Sequence, residues 1–87
     1  MRLNQSTMKA RLEKLCGILE GTLGCLHAVY DLEHNSILVT YLEIDSQTPE
    51  ELILFCVDHD ARLEVLDISR GRCTYGLYPT RKGGFKL

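Results

Sequence analysis

The amino-acid sequence predicts a two-layer α+β sandwich, in which two helices cover one face of a four-stranded antiparallel sheet. Two segments show the apolar spacing that is typical of helices, and four show the alternation that is typical of strands, in the order α-β-β-α-β-β. Short polar turns separate the strands of each successive pair, which predicts two antiparallel hairpins. The 87 residues suffice for one domain, which we place at residues 1–79.

The clearest element is a helix predicted within residues 45–60. Thr48 is a suitable N-cap residue, Pro49 suits the first helical position, and Glu51 completes a capping box with Thr48. The six residues that follow, Leu52–Val57, are all apolar. They give the helix an apolar surface much wider than a helix at a protein surface needs. We therefore expect this helix to be covered over most of its girth.

A first helix is predicted from Ser6 or Thr7 to about Glu20. Its apolar side chains fall on one arc, as in an amphipathic helix. They are Met8, Leu12, Leu15, Cys16 and Leu19. If residues 2–3 form a short preceding strand, the order becomes the ferredoxin-like βαββαβ plan with one extra strand. We therefore expect a ferredoxin-like antiparallel sheet with both helices on one face.

The first predicted hairpin has two apolar faces, although only one can meet the helices. The four strands are predicted at residues 25–32, 37–44, 61–68 and 72–78. We expect the helices to cover Leu26, Ala28, Tyr30, Leu38 and Leu42. The other face then consists of Val29, Ile37, Val39 and Tyr41. Such a patch is near the upper limit for a monomer, so these four residues are predicted to form the two-fold interface of a homodimer.

Charge is distributed unevenly along the chain, whose net charge is −2. Residues 15–69 carry eleven acidic residues and one basic residue, whereas residues 70–87 carry five basic residues and no acidic one. We expect residues 80–87 to be a flexible basic tail. Basic and aromatic side chains are interleaved from residue 70 onward, and such a pattern can bind single-stranded nucleic acid. The candidates are Arg70, Arg72, Tyr75, Arg81 and Lys82. The acidic middle would repel phosphate, so we do not favour nucleic acid as a partner.

The cysteines follow no metal-binding or redox motif. All four lie inside apolar segments and none belongs to a Cys-x-x-Cys pair, which indicates reduced, buried thiols. Cys25 and His27 lie two residues apart on one predicted strand face, and they are credible ligands for a soft metal ion. We find no Gly-rich phosphate loop and no nucleophile–base arrangement. The sequence therefore does not favour an enzyme, and we expect no cofactor.

From Ile37 to Lys82 the layout resembles the second half of the small sulfur-carrier domains of the thiouridine sulfur-relay family. The stretches that carry the resemblance are SILVTYLEI, TPEELILFC, LEVLDI, Gly71 and the Arg-Lys pair at 81–82. The reactive Cys-Pro-x-Pro of that family is absent, and the predicted strand at residues 25–32 is additional. The resemblance implies a related layout, and no family nucleophile is carried over to this sequence.

Taken together, these features favour a small non-enzymatic interaction or regulatory module that acts as a homodimer. The alternative is a sulfur- or metal-handling protein that uses Cys25, His27 or another cysteine. A second alternative is single-stranded nucleic-acid binding through the basic C-terminal strand and tail. The N-terminal residues contain no apolar region of a signal peptide, and no apolar run approaches the ~18 residues of a membrane span. We therefore expect a cytoplasmic protein without membrane contact.

Overall fold

A computed structural model describes residues 5–42 and 47–87. Its elements are α1 (Gln5–Glu20), β1 (Cys25–Asp31), β2 (Ser36–Leu42), α2 (Glu50–Asp58), β3 (Ala61–Ser69) and β4 (Arg72–Pro79). The predicted α+β class and the order α-β-β-α-β-β are confirmed. The possible strand at residues 2–3 lies outside the described residues.

The four strands form one antiparallel sheet in the order β1-β2-β4-β3. Strand β4 lies between β2 and β3, so α2 connects two strands that are not neighbours. The chain order therefore differs from the ferredoxin-like βαββαβ plan that we expected. The two orders are cyclic permutations of each other, because moving the first strand of βαββαβ to its end produces αββαββ.

One hydrophobic cluster joins both helices to the sheet. The helices contribute Leu12, Leu15, Cys16 and Leu19 from α1 and Leu52, Phe55 and Cys56 from α2. Alternate residues of β2 and β4 complete the cluster, so both helices cover the same face of the sheet. The opposite face, which we call the open face, carries Val29, Leu38, Thr40, Thr74 and Tyr78.

The expected orientation of β2 is wrong. Three residues that we expected on the open face are 0–1% exposed in the core on the helix side: Ile37, Val39 and Tyr41. Leu38, which we expected to face the helices, pairs with Val29 and Gly76 on the open face. For β1 the expected orientation is correct from His27 onward, since Ala28 is buried and Val29 is 50% exposed. It is wrong at the start of the strand, where Leu26 is 41% exposed and Cys25 packs against the core. Three of the four residues predicted for the dimer interface are therefore unavailable to a partner.

The length of the β1–β2 connection explains this inversion. Asp31 pairs with Ser36, so residues 32–35 connect the strands, and even-numbered residues of β1 pair with odd-numbered residues of β2. Directly paired residues share a face of the sheet, so Ala28 and its partner Val39 are buried together. The expected grouping requires even-numbered residues to pair with even-numbered ones. A shift of one residue inverts a whole strand.

Helix α2 begins one residue later than the capping box predicts. Its N-cap is Pro49 and no side chain caps the first turn, so the predicted pairing of Thr48 with Glu51 is wrong. Glu51 instead accepts a hydrogen bond from the backbone N–H of Leu23, with 3.3 Å between N and Oε2. The first turn of α2 is therefore tied to the connection between α1 and β1.

The last eight residues return to the body of the protein, where we expected a flexible tail. Phe85 is 5% exposed and belongs to the core. The N–H of Lys86 donates to the carbonyl of His59 at 2.9 Å. Nδ1–H of His59 donates in turn to the carbonyl of Lys86 at 2.6 Å. The end of α2 therefore holds residues 80–87, which we call the C-terminal segment.

Candidate functional site

The predicted metal ligands Cys25 and His27 lie on opposite faces of the sheet. A β-bulge at Leu26 interrupts the register between β1 and β2. Cys25 pairs with the buried Tyr41 on the helix side, whereas His27 pairs with Thr40 on the open face. Nε2 of His27 lies 3.2 Å from Oγ1 of Thr40. The two side chains are therefore not brought together as a ligand pair.

Burial keeps three of the cysteine thiols protonated. Desolvation raises the pKa of Cys16 on α1 from 9.0 to about 11, and the Glu20 carboxylate adds to this shift. Desolvation also raises the pKa of Cys56 on α2 from 9.0 to about 11. The pKa of Cys25 is raised, first by desolvation and then by Glu20. Because the thiolate is the nucleophile in sulfur transfer, burial works against nucleophilic reactivity of these three thiols.

A different group of possible ligands lies in the turn between β1 and β2. Ligand atoms of Asp31, Glu33 and His34 lie within 4.8 Å of one another. Nδ1 of His34 is 2.6 Å from Oδ2 of Asp31. This hydrogen bond lowers the pKa of Asp31 and raises that of His34. The pairing of histidine with carboxylate accounts for the cluster, and we assign no metal ion to it.

The residues expected to bind nucleic acid do not share one surface. Tyr75 is buried and packs edge-on against Tyr41, with 6.1 Å between the ring centroids. The other four candidates lie near the two ends of β4, with Arg70 and Arg72 at its start and Arg81 and Lys82 beyond its end. At ~3.4 Å per residue these ends are roughly 24 Å apart. An exposed aromatic platform flanked by basic side chains is therefore not formed by these residues.

A polar row crosses the open face of the sheet. His27 on β1 contacts Thr40 on β2, and Oγ1 of Thr40 lies 3.0 Å from Oγ1 of Thr74 on β4. Thr40 is buried by its neighbours although neither α1 nor α2 covers this face. Since these polar groups already bond to one another, this part of the open face does not depend on a partner to satisfy them.

Beside this row, Tyr78 covers the middle of β4. A Cβ atom on Gly76 would lie 2.7 Å from the Tyr78 hydroxyl, so the phenol ring rests directly over that glycine. The Arg62 guanidinium lies over the same ring, 5.0 Å from its centroid, and its Nη1 is 2.6 Å from Oε1 of Glu64. The open face is thus a mixed surface that the chain's own side chains partly cover.

A more apolar surface lies on the helix side, at the edge of the sheet. Five large apolar side chains there are 46–68% exposed: Ile53, Leu54 and Val57 of α2, and Val65 and Ile68 of β3. We call these five residues the α2–β3 surface. We expected α2 to be covered over most of its girth, but only Leu52, Phe55 and Cys56 are buried. The chain itself covers one side of this helix.

The orientation of α2 directs two of its exposed apolar residues toward the edge of the sheet. Glu51 bonds to the N–H of Leu23, so the flank that carries Glu51 faces the α1–β1 connection. At ~100° per residue, Ile53 and Val57 project from the opposite flank. Helix α2 packs on β3, which is an edge strand. Ile53 and Val57 therefore face outward beyond the edge of the sheet.

The exposed residues of β3 continue this surface. Val65 and Ile68 pair with Tyr75 and Cys73, which are both buried on the helix side, so all four share that face. A β-bulge after Val65 changes the register and allows both β3 side chains to point the same way. A cleft of about 80 Å³, lined in part by Pro49, Val65 and Ile68, lies between them and the start of α2.

Sequence reasoning missed the α2–β3 surface because it assigned the apolar girth of α2 to packing within the chain. The signal itself was present in the unbroken apolar run Leu52–Val57. The run shows that α2 has more apolar surface than water favours. It does not show whether residues of the same chain or of another molecule bury that surface.

Comparisons with known proteins provide no family assignment: no protein-family model, no curated protein and no solved structure matches the chain. The resemblance to sulfur-carrier domains therefore gains no further support. None of the helices in the described part of the chain is both long and apolar enough to span a membrane.

Proposed function

We propose that the protein is a small non-enzymatic interaction or regulatory module that acts as a homodimer, and that two copies meet through the α2–β3 surface. The observation that carries this proposal is the exposure of five large apolar side chains, Ile53, Leu54, Val57, Val65 and Ile68, on two elements that pack against each other. Single exposed apolar residues are ordinary, whereas a group of this kind on neighbouring elements is typical of a contact site.

A second copy fits this surface better than a charged partner does. The five side chains are all apolar, so their best complement is another apolar surface, and a two-fold axis supplies one without any further component. Direct pairing of the two β3 strands is less favourable. The outer strand carries Arg62, Glu64 and Asp67 and contains a bulge, which are features that discourage the addition of another strand. We therefore expect contact through side chains of α2 and β3.

The energetics favour a reversible dimer. Fully burying a Val, Leu or Ile side chain contributes about 1.5–3 kcal/mol. Because these side chains are already about half covered, the ten of a dimer contribute on the order of 10 kcal/mol. Association costs about 4–15 kcal/mol in lost freedom of motion. The two contributions are comparable, so dimerisation should depend on protein concentration within the range of ordinary solution experiments.

Sedimentation equilibrium tests the proposal with two matched variants. Val57→Lys places a charge within the α2–β3 surface, at a side chain that is 68% exposed in the single chain. The substitution should leave the fold intact and give a monomer, because burying an unpaired charge is costly. Val29→Lys makes the same change on the open face and should remain dimeric.

Two outcomes would contradict the proposal. A wild-type protein that stays monomeric up to about 100 µM, where micromolar affinities are saturated, would show that the surface has no self-association role. A dimer that Val29→Lys dissociates and Val57→Lys does not would place the contact on the open face. Circular dichroism of both variants should match the wild type, since neither side chain belongs to the core.

A further inference from the structure

A cleft of about 340 Å³ lies between α1 and the C-terminal segment, and four cationic side chains line it. They are Arg11, Arg81, Lys82 and Lys86. Among the residues that the structure describes, no acidic side chain lines this cleft. Nη1 of Arg81 lies 3.9 Å from Oδ2 of Asp60, so one of the four charges is partly compensated nearby. The cleft therefore concentrates positive charge in a protein whose net charge is negative.

The backbone of the C-terminal segment shapes the cleft. Gly83 and Gly84 have φ values of +96° and +106°, a conformation that other residues adopt only with strain. The N–H of Gly84 donates to the carbonyl of Arg81 at 3.3 Å. A Cβ atom on Gly84 would lie 3.0 Å from Nδ2 of Asn35, so a side chain would also be crowded there. This turn places Lys86 beside Arg81 along one cleft.

Both ends of the segment are fixed to α2 and the core. The N–H of Thr80 donates to the carbonyl of Asp60 at 2.9 Å, and Lys86 exchanges hydrogen bonds with His59. Phe85 is buried in the core. The cationic side chains thus project from an ordered backbone, so less conformational freedom is lost when a ligand binds.

We propose that this cleft binds a compact anion that carries a diphosphate or triphosphate group. Guanidinium groups form paired hydrogen bonds with phosphate oxygens, and ammonium groups add charge without a fixed geometry. Four cations around one small cleft match an anion with several negative charges better than a single carboxylate. The volume lies at the lower end of the range of about 300–1,000 Å³ for small-molecule sites.

A single strand of nucleic acid fits this cleft less well. Such strands bind through aromatic stacking as well as phosphate contacts. Phe85 is buried, Tyr75 is buried, and the ring of Tyr78 is covered by Arg62 on the open face. The eleven acidic residues between positions 15 and 69 would also repel a long polyanion. A compact phosphorylated anion needs neither stacking nor an extended basic surface.

Isothermal titration calorimetry of the whole chain with pyrophosphate at low ionic strength tests the proposal. Wild-type protein should bind one pyrophosphate per chain. Arg11→Gln and Lys82→Gln should each weaken binding roughly tenfold or more, since hydrogen bonds to charged groups are the strong ones. Lys14→Gln is the matched control, because Lys14 is an exposed α1 residue that does not line the cleft. It should bind as the wild type does.

The ligand series identifies the source of the anion. Adenosine diphosphate that binds as tightly as pyrophosphate indicates a phosphorylated small molecule, and preference for pyrophosphate indicates the inorganic ion. No pyrophosphate binding by the wild type, or an equal loss in Lys14→Gln and Lys82→Gln, would overturn the proposal. So would a labelled oligonucleotide that binds far more tightly than pyrophosphate and gains affinity with length. Unchanged urea unfolding of each variant excludes loss of fold as the cause.

Discussion

Helices α1 and α2 each bury one stripe of side chains against the same sheet, yet their outer surfaces differ. Helix α1 has 16 residues, and Ile18 is its one large exposed apolar residue. Helix α2 has 9 residues and exposes Ile53, Leu54 and Val57. The outer side of α1 is therefore suited to water, whereas that of α2 is suited to contact.

The sheet order explains the difference. Helix α1 packs on β1 and β2, whereas α2 packs on β3, an edge strand. In the part of the chain that the structure describes, no strand lies beyond β3 beside the outward-facing flank of α2. Apolar residues on that flank are therefore exposed in the single chain. The comparison predicts that changes on α2 fall into two classes, according to whether they alter the core or association.

The largest effect is expected from Phe55→Ala on the buried side of α2. The Phe55 ring lies 4.4 Å from the ring of His59, centroid to centroid, and its removal leaves a cavity that costs about 3–5 kcal/mol. Leu54→Ala, one residue away on the exposed side, should cost less than about 1 kcal/mol. Urea unfolding at low protein concentration measures both. Similar losses in the two variants would mean that α2 is not oriented as described.

A second effect concerns pH and both helices. The folded-state pKa values of Cys16 and Cys56 are raised from 9.0 to about 11. Below pH 9 both thiols are protonated in the folded and unfolded states, so their contribution to the free energy of unfolding is fully present. As pH rises from 9 to about 11, the unfolded chain releases these protons first, and the free energy of unfolding should fall. Urea unfolding across this range should show the loss, and Cys56→Ala should show less of it than the wild type.

A smaller effect is expected in the concentration dependence of thermal unfolding. If α2 supports a dimer, the Tm of the wild type should rise by a few degrees with protein concentration, because association stabilises only the folded state. Ile53→Lys should abolish this rise. Ile18→Lys on α1 is the control, since it changes an equally exposed residue outside the α2–β3 surface. Differential scanning calorimetry at several concentrations makes the comparison, and a Tm that is independent of concentration in the wild type would remove the distinction between the helices.

The smallest effect is expected on the outer side of α1. Nζ of Lys9 lies 3.9 Å from Oε1 of Glu13, and both side chains are exposed. Such a pair contributes roughly 0–1 kcal/mol and weakens with salt. Lys9→Ala should therefore change the free energy of unfolding by less than about 0.5 kcal/mol. A loss as large as that of Phe55→Ala would show that the outer side of α1 is also a contact surface.

The elements and their order were predictable because the apolar spacing changes clearly between helices and strands. The side of β2 that faces the helices could not be predicted, because Leu38 and its neighbours Ile37 and Val39 are all apolar. An alternation of apolar and polar residues is therefore missing at these positions. The length of the connection at residues 32–35 sets which residues of β1 and β2 pair, and this pairing determines which side of β2 is buried. The bulge at Leu26, which separates the predicted metal ligands, likewise has no apolar or polar pattern that marks it.

The candidate sites depended on contacts between distant parts of the chain. Arg11 and Lys86 line one cleft although 75 positions separate them in the sequence. The pair Gly83-Gly84 is typical of a mobile tail, whereas the burial of Phe85 and the hydrogen bonds between Lys86 and His59 show that the segment returns to the core. Local composition therefore identified the basic residues but not the surface on which they meet.

The central position of β4 has a consequence for synthesis. Residues 72–79 emerge from the ribosome after β1, β2 and β3, yet they form the link between β2 and β3. Before they emerge, β3 has no strand to pair with and β2 is paired on one side only. The nascent chain therefore holds unpaired strand edges and uncovered apolar residues until translation of β4 is complete. Folding should then proceed in a single cooperative step, and a pause in translation before Arg72 prolongs the interval in which the chain can aggregate.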